Sequence, residues 1–387
     1  MKIGIPKEIQ PGETRVALIP SMVSHFKREG HEVLVEAGAG TQAGASDDAF
    51  KKAGARIIKD ARALYKQADI VFKVQPPGRR KGTPKHEAEL IRQGGYYVGF
   101  LAPLENKEAL RVFAKRNVTS FSMEYVPRIT RAQSMDALSS MATIAGYKAV
   151  LLAADYLGKM FPLLMTAAGT VAPANVLVLG AGVAGLQAIA TAKRLGARVE
   201  AFDPRPAVKE QVRSLGATFI DMEIPEDVET AGGYAKELSA SFLKKEQETI
   251  AERLPKTDVV ISTAQVFGKR APVLITAKMV KLLQPGSVIV DLAAVQGGNC
   301  ELAQAGKTVI KDGVAIMGVV NLPATIPVHA SQMYAKNIVN LFQTLFPKGA
   351  TVPNFDDEVT QGACITRDGE IVNESVKKTF SKGGKKK

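Results

Sequence analysis

Val176-Leu177-Val178-Leu179-Gly180-Ala181-Gly182-Val183-Ala184-Gly185-Leu186 is the stretch on which the fold turns. An apolar run enters three spaced glycines, and the residues that follow, through Arg194, read as a helix. A second apolar run, Arg198–Phe202, ends against Asp203. Strand, tight turn, helix and acid-terminated strand together make the unit that binds a dinucleotide. Gly180 permits the turn, Gly182 lets backbone approach a pyrophosphate, and Gly185 lets helix and strand pack closely. The helix N-terminus supplies N–H donors and a positive partial charge. Asp203 is placed to accept from the adenosine ribose hydroxyls and to repel a 2′-phosphate, which favours NAD(H) over NADP(H). Arg205, close by, works against that preference. The whole context carries this reading, since spaced glycines alone also occur in turns that serve only packing.

Outward from this unit, Thr218–Asp221, Val259–Ser262, Val288–Asp291 and Val314–Gly318 are further strand candidates. In the first third, Ile3–Ile5, Glu32–Glu36, Ile70–Val74, Tyr96–Leu101 and Val118–Met123 read as strands. Pro20–Arg28, Asp47–Ala53 and Asn106–Arg116 read as helices between them. Continuous apolar strands separated by helices predict parallel sheets covered on both faces. Asp136–Leu157 is Ala-rich, holds one glycine (Gly146) and no proline, and predicts a helix of roughly 30 Å. Pro327–Phe346 predicts another. The expected fold is α/β: two Rossmann-like, doubly wound parallel-sheet domains linked by long helices. Residues 137–327 form the NAD(H)-binding domain. Residues 1–136 and 328–387 form an N-terminal Rossmann-like domain completed by the C-terminal segment.

A chain of 387 residues, 46% hydrophobic and 23% charged, has the balance of a globular protein of two or three domains, not a disordered one. Its two cysteines, Cys300 and Cys364, do not make a disulfide framework. Neither they nor His25, His31, His86 and His329 show metal-ligand spacing, so no metal is expected. No uninterrupted apolar run approaches the ~20 residues of a bilayer span, and Met1–Glu8 shows neither the apolar stretch nor the small-residue cleavage site of a signal peptide, so none is expected. A reducing cytosol is the expected address. The net charge is +13, and six lysines fall in the acid-free stretch 377–387. That tail reads either as a solvated terminus or as an electrostatic tether to anionic lipid or an acidic partner. With no Trp and 6% aromatic residues, and no basic stripe interleaved with aromatics, nucleic acid is not an expected partner.

An NAD-dependent dehydrogenase needs a proton donor beside the hydride carbon. His25, His31 and His329 have no catalytic signature around them and read as surface or cap residues. His86 lies in a basic loop, Arg79–His86, and is expected in solvent. Lys73, at a strand's carboxyl end, is an isolated candidate. Between the two halves, Pro127–Ser140 crowds Arg128, Arg131, Gln133, Asp136, Ser139 and Ser140 at the entrance of the long helix. This is either a solvated helix cap or a loop that holds a nicotinamide and its ribose. Gly232-Gly233-Tyr234 is either an ordinary loop or a hinged flap with Tyr234 at its tip.

Taken together, these segments resemble the alanine dehydrogenase/proton-translocating transhydrogenase superfamily over nearly the whole chain. The likeness rests on Gly4–Glu8 with Glu13–Ala17, the glycine fingerprint, and Val290–Asn299. Arg128–Ser140 is similar to the nicotinamide loop of the transhydrogenase branch, and Gly232–Ala235 to its mobile loop. Alanine dehydrogenases carry a histidine after the strand matching Tyr96–Leu101, and an Asp where this chain has Val295; both are missing here, although Arg15 and Lys73 remain. The resemblance implies hydride exchange between NAD(H) on this chain and NADP(H) on a partner, coupled to proton translocation. Such a transfer moves no proton at the reacting carbon and needs close C4 atoms and excluded water, not a general acid. By the same analogy Arg128, Gln133, Asp136 and Ser139 position the nicotinamide and ribose. Tyr234 closes over the cofactor, and Val183, Ala184 and Gln265 join Gly180, Gly182, Gly185 and Asp203 in binding it. The implied partners are a separate, membrane-spanning portion of transhydrogenase subunit alpha, an NADP(H)-binding subunit beta and a second copy of this chain. The implied location is cytoplasmic, peripheral on the inner face of the cell membrane. A free-standing alanine dehydrogenase is the alternative.

Overall fold

The computed structural model describes residues 1–83, 85–222, 240–266 and 268–381. The chain divides into two units, residues 1–141 with 324–387, and 142–323. The division falls inside the helix Ala137–Tyr156, predicted as Asp136–Leu157.

The strands follow in chain order. The first unit takes β1 (Lys2–Ile5), β2 (Glu32–Glu36), β3 (Arg56–Ile58), β4 (Ile70–Phe72), β5 (Tyr96–Gly99) and β6 (Thr119–Ser122). The second unit holds a hairpin, β7 (Leu164–Thr166) and β8 (Gly169–Val171). Its main sheet takes β9 (Asn175–Leu179), β10 (Arg198–Phe202), β11 (Thr218–Phe219), β12 (Val259–Ser262), β13 (Val288–Asp291), β14 (Thr308–Lys311) and β15 (Val314–Gly318). The C-terminal segment adds β16 (Cys364–Arg367) and β17 (Glu370–Ile371) to the first.

Both sheets are doubly wound, as the sequence predicts. In the first, the order β17-β16-β6-β5-β4-β1-β2-β3 reverses direction between β1 and β4. Its strands β1 to β6 are parallel, and the two C-terminal strands are antiparallel. In the second, the order β11-β10-β9-β12-β13-β15-β14 reverses between β9 and β12. Ligands of open α/β sheets sit at such reversals, beyond the carboxyl ends of the strands.

Burial on both faces explains why the strands read as unbroken apolar runs. Val176 and Val178 of β9 join one core with Ala188, Ile189, Ile261 and Val290. Leu177 and Leu179 join the opposite one with Val260, Ile289 and Ile316. Adjacent residues of one strand point to opposite faces, so a strand buried on both sides has no polar positions to alternate. In the first unit the helix Pro327–Leu345 brings Phe342 against Phe26 and Phe72, ring centroids 5.1 and 5.9 Å away.

Several local readings change, among them Ile70–Val74 and Thr218–Asp221, because β4 ends at Phe72 and β11 at Phe219. Tyr96–Leu101 and Val118–Met123 are shorter strands than expected: β5 ends at Gly99, and Met123 opens a 3₁₀ turn. Leu101 and Ala102 instead donate their backbone N–H groups to the Glu124 carboxylate. The helix Ala137–Tyr156 is long and apolar enough to cross a membrane by length and composition, with mean hydropathy 1.4. Lys148 and Asp155 lie within it, and Ala149, Val150 and Ala153 are buried in the core of the second unit.

Candidate functional site

In the second unit, β9 delivers the chain to Gly180 at the sheet reversal. Its φ of +92° is left-handed, and a Cβ there would lie 2.7 Å from Thr263 Oγ1. A Cβ on Gly185 would lie 1.8 Å from the Gly180 carbonyl oxygen, so helix and strand touch through bare backbone. Gly182 differs from both. Among the described residues, a Cβ there would meet only Arg205 Nη2, at 3.9 Å. It is the N-cap of the helix Val183–Arg194, and among the described residues no side chain caps that end. Among the described residues, the first turn thus keeps backbone N–H groups without a side-chain cap, the kind of helix end that attracts an anion. Behind Ala184 the long helix approaches as closely as backbone allows: a Cβ on Gly146 would sit 2.0 Å from the Ala184 carbonyl oxygen.

Asp203 stands at the end of β10, as the fingerprint requires, and is buried. Both its oxygens are already engaged. Oδ1 accepts from the Arg205 backbone N–H and Nε, each at 2.9 Å. Oδ2 accepts from Ala181 N at 2.7 Å and Arg205 Nη2 at 2.8 Å. The cation that argued against a preference for NAD(H) over NADP(H) therefore lies clamped to Asp203 itself. A second acid, Glu246 of the helix Ala240–Ala251, is buried nearby. Burial, reinforced by the Asp203 charge, pushes its carboxyl up to about 7.

The loop after β12 closes the other side of the reversal. Thr263 Oγ1 donates to the Gly180 carbonyl at 3.0 Å. Asn299, fully buried, holds Ala264 at both ends: Oδ1 accepts from Ala264 N at 3.0 Å, and Nδ2 donates to Ala264 O at 2.8 Å. Asp291 Oδ1 accepts from Ala293 N and its Oδ2 from Cys300 N, both at 2.8 Å, and burial raises its pKa. Within Val290–Asn299, Asn299 therefore braces the turn that carries Gln265, and Asp291 braces its own segment. Gln265 is exposed, its Nε2 donating to Leu292 O at 2.8 Å. Val183 is exposed and Ala184 half-buried at the start of the fingerprint helix.

In the first unit, Thr130–Met135 forms a 3₁₀ helix leading into the long helix. Asp136 Oδ1 accepts from the Ser139 N–H at 2.8 Å and Oδ2 from the Ser139 hydroxyl at 2.6 Å. Two of the expected site residues are thus bonded to each other in an N-terminal cap. Arg128 and Gln133 are exposed. Tyr234 lies outside the described residues.

In the same unit, beyond the carboxyl ends of β1 and β2, lies a cavity of about 280 Å³, lined by Lys7, Glu8, Glu13, Thr14, Arg15 and Gln42 among others. Arg15 is held bidentately by Glu13, Nε to Oε1 at 2.7 Å and Nη2 to Oε2 at 2.6 Å. Burial would raise the Glu13 pKa, but this pair overrides it and holds the carboxyl at about 2. Lys73 is fully buried, its Nζ 2.9 Å from Glu87 Oε2 and 3.2 Å from Glu8 Oε2. Burial would lower its pKa, and the two carboxylates more than reverse that. His86 is not in solvent as expected. It is buried, and its Nδ1 accepts from Ala88 N at 3.1 Å, capping the helix Glu87–Leu90. Burial lowers its pKa. Among the described residues, no group of three His, Cys, Asp or Glu is placed to hold a metal.

Sequence reasoning missed Asn299, Glu246 and the Arg205 clamp on Asp203. Their partners are far in sequence or, for Arg205, indistinguishable by pattern from a solvated cation.

Known proteins bear on both units. Models of the alanine dehydrogenase/PNT family match residues 4–145, as its N-terminal domain, and 149–374, as its C-terminal domain. In Rhodospirillum rubrum, the first of the chains that make up NAD(P) transhydrogenase subunit alpha is 50% identical over 378 residues, 96% of this chain and 98% of that one. The alanine dehydrogenase of Bacillus subtilis is 30% identical over 384 residues, 97% of this chain and 94% of that one. The solved structure of the transhydrogenase from Sinorhizobium meliloti matches with a TM-score of 0.83 at 41% identity, covering 97% of this chain and all of that one.

Proposed function

The chain belongs to the alanine dehydrogenase/PNT family, and from that membership we propose that it is the NAD(H)-binding catalytic subunit of a proton-translocating transhydrogenase. In this reading, hydride passes between NADH on this chain and NADP⁺ on a subunit beta. Proton translocation belongs to that subunit and to a separate, membrane-spanning portion of subunit alpha. The assembly places this chain on the cytoplasmic side of the membrane, as a peripheral component.

The observation that carries the reading is the helix N-terminus at Gly182, with no side-chain cap among the described residues, and a buried acid at the end of β10. Bound NAD(H) supplies or takes a hydride at the nicotinamide. The chain's own role is to bind and orient. Gly180, Gly182 and Gly185, with Val183 and Ala184, form the phosphate turn. Asp203, once released from Arg205, would accept the ribose hydroxyls, and the freed guanidinium would supply a positive charge for the pyrophosphate. Gln265 borders the turn. Arg128, Gln133, Asp136 and Ser139 act on the nicotinamide and its ribose, and Tyr234 excludes water.

The histidines favour this reading over a free-standing alanine dehydrogenase. His86 is committed to a helix cap, His25 and His329 lie within helices, and His31 packs edge-on to Phe26 and Phe342. Lys73 is closed between two carboxylates. A homodimer is supported by the apolar surface around β7 and β8. Met165 is 81% exposed there, with Met160, Leu163 and Val171 beside it in the sequence, also exposed. An apolar patch of this kind marks an interface.

The test is reconstitution with an NADP(H)-binding subunit beta. Arg128→Ala is expected to slow hydride transfer far more than it weakens NADH binding, and equal losses would contradict the assigned role. Steady oxidation of NADH by the chain alone with pyruvate and ammonia would favour the dehydrogenase.

A further inference from the structure

The loop that carries Gln133 and Asp136 is fastened from the C-terminal segment of the same unit, by residues about two hundred positions away or more. Its backbone at Ser134 is the centre of this arrangement. Asn337 Nδ2 donates to the Ser134 carbonyl at 2.8 Å, and Asn340 Nδ2 donates to the same oxygen at 3.1 Å. Both asparagines lie on the helix Pro327–Leu345, three positions apart and therefore on one face. The Ser134 side chain is exposed, so its carbonyl, not its hydroxyl, is what the helix grips.

Asn337 is unusual in its setting. It is 5% exposed, and its Oδ1 has no hydrogen-bond partner among the described residues. A buried acceptor left idle costs free energy, and asparagine is a poor helix former. An apolar residue would suit that helix position better on both counts. What it could not supply is the N–H donor aimed at Ser134.

Two further contacts fix the loop on either side. Arg131 forms paired hydrogen bonds to Asp357, both at 3.0 Å, and reaches Glu358 at 3.2 Å. Ala132 and Met135 are buried as apolar pegs. Gln133 stays exposed and Asp136 half-buried, and Asp136 stands just past the pinned carbonyl, at the entrance of the long helix.

We propose that Asn337 and Asn340 are positioning residues for hydride transfer, acting through the Ser134 carbonyl to set the loop that presents Gln133 and Asp136. The proposal rests on the reading that this loop acts on the nicotinamide. Neither asparagine needs to touch the cofactor. An error of about 1 Å in placing a reacting group can cost about a hundredfold in rate, while binding energy spread over a whole dinucleotide barely changes. The signature is therefore a loss of rate out of proportion to the loss of affinity.

The experiment uses the full chain with an NADP(H)-loaded subunit beta, and compares Asn337→Asp, Asn340→Ala and Arg128→Ala with the unaltered protein. Single-turnover hydride transfer, NADH affinity and the thermal midpoint are measured for each. Asn337→Asp turns the donor into an acceptor against the carbonyl. It is expected to slow transfer about tenfold or more with NADH affinity within about threefold. Asn340→Ala, on the half-exposed end of the grip, is expected to give a smaller loss of the same kind. If Asn337→Asp does not fold, Asn340→Ala decides. Unchanged rates in folded asparagine variants, or rate and affinity falling by one factor, overturn the proposal. If Arg128→Ala alone loses rate, only the positioning role fails; if no variant loses rate, the underlying assignment of the loop fails.

Discussion

At the scale of single residues, Glu246 beside the dinucleotide turn and Glu13 in the cavity beyond β1 and β2 are shifted in opposite directions, and each has a pH signature. Glu246 keeps its proton in the folded protein up to about pH 7, against 4.5 for an ordinary glutamate. The folded state then holds more protons than the unfolded state between those values, so its stability falls as pH rises across that window. Glu246→Gln is expected to flatten the thermal-midpoint profile between about pH 4.5 and about pH 7 and to leave the protein more stable above that window; an unaltered profile would show that water reaches the carboxyl. Glu13, held at about 2 by Arg15, has the reverse sign: its stabilisation is complete above 4.5 and disappears as pH falls toward 2. Asp203 supplies a third prediction. Asp203→Asn removes the charge that clamps Arg205. NADPH should then gain on NADH by about tenfold or more in relative affinity, the worth of one charge-assisted contact. Direct titration with both nucleotides reads this out.

At the scale of the element, the glycines of one turn separate by what surrounds them. Among the described residues, a Cβ on Gly182 would meet nothing closer than 3.9 Å, whereas one on Gly185 would meet a carbonyl oxygen at 1.8 Å. Gly182→Ala should fold with an unchanged thermal midpoint and lose NADH affinity, because its methyl occupies only the phosphate's approach. Gly185→Ala should lose stability first, by about 1–3 kcal/mol or more, because backbone must move to admit the methyl. Equal effects of the two substitutions on stability would refute that division. The turn itself is legible in the sequence because every requirement it meets is local: an apolar strand, a left-handed φ, a helix start and an acid after the next strand. His86 is not, because nothing in Arg79–His86 reveals that its ring caps a buried helix. The small strand β3 and the C-terminal strands β16 and β17 also escape a reading of the sequence, because runs of two to four residues show too little periodicity to separate from loop.

At the scale of the whole molecule, Lys73 shows how much the first unit depends on charge placed inside it. Its ammonium sits between Glu8 and Glu87, and Tyr65 donates its hydroxyl to Glu87 at 2.9 Å. Removing the cation leaves two carboxylates in a buried site. Lys73→Met is therefore expected to cost about 3–5 kcal/mol of stability, read in a denaturant titration, although methionine fills much of the same volume. A loss below about 1 kcal/mol would mean that water or another cation serves that network.

By itself the amino-acid sequence determined two doubly wound sheets, the turn between Gly180 and Gly185, and the polar segment Arg128–Ser139. Those features follow from interactions between neighbours along the chain, where strand and helix periods, left-handed turns and caps leave their mark. Tertiary structure alone decided that Arg205 occupies Asp203, that Asn299 braces Ala264, and that Asn337, Asn340, Asp357 and Glu358 hold the Thr130–Met135 loop. A hydrogen bond depends on which donor meets which acceptor in space, and most of these partners stand tens to hundreds of residues apart. No local pattern records such a meeting until the chain has folded.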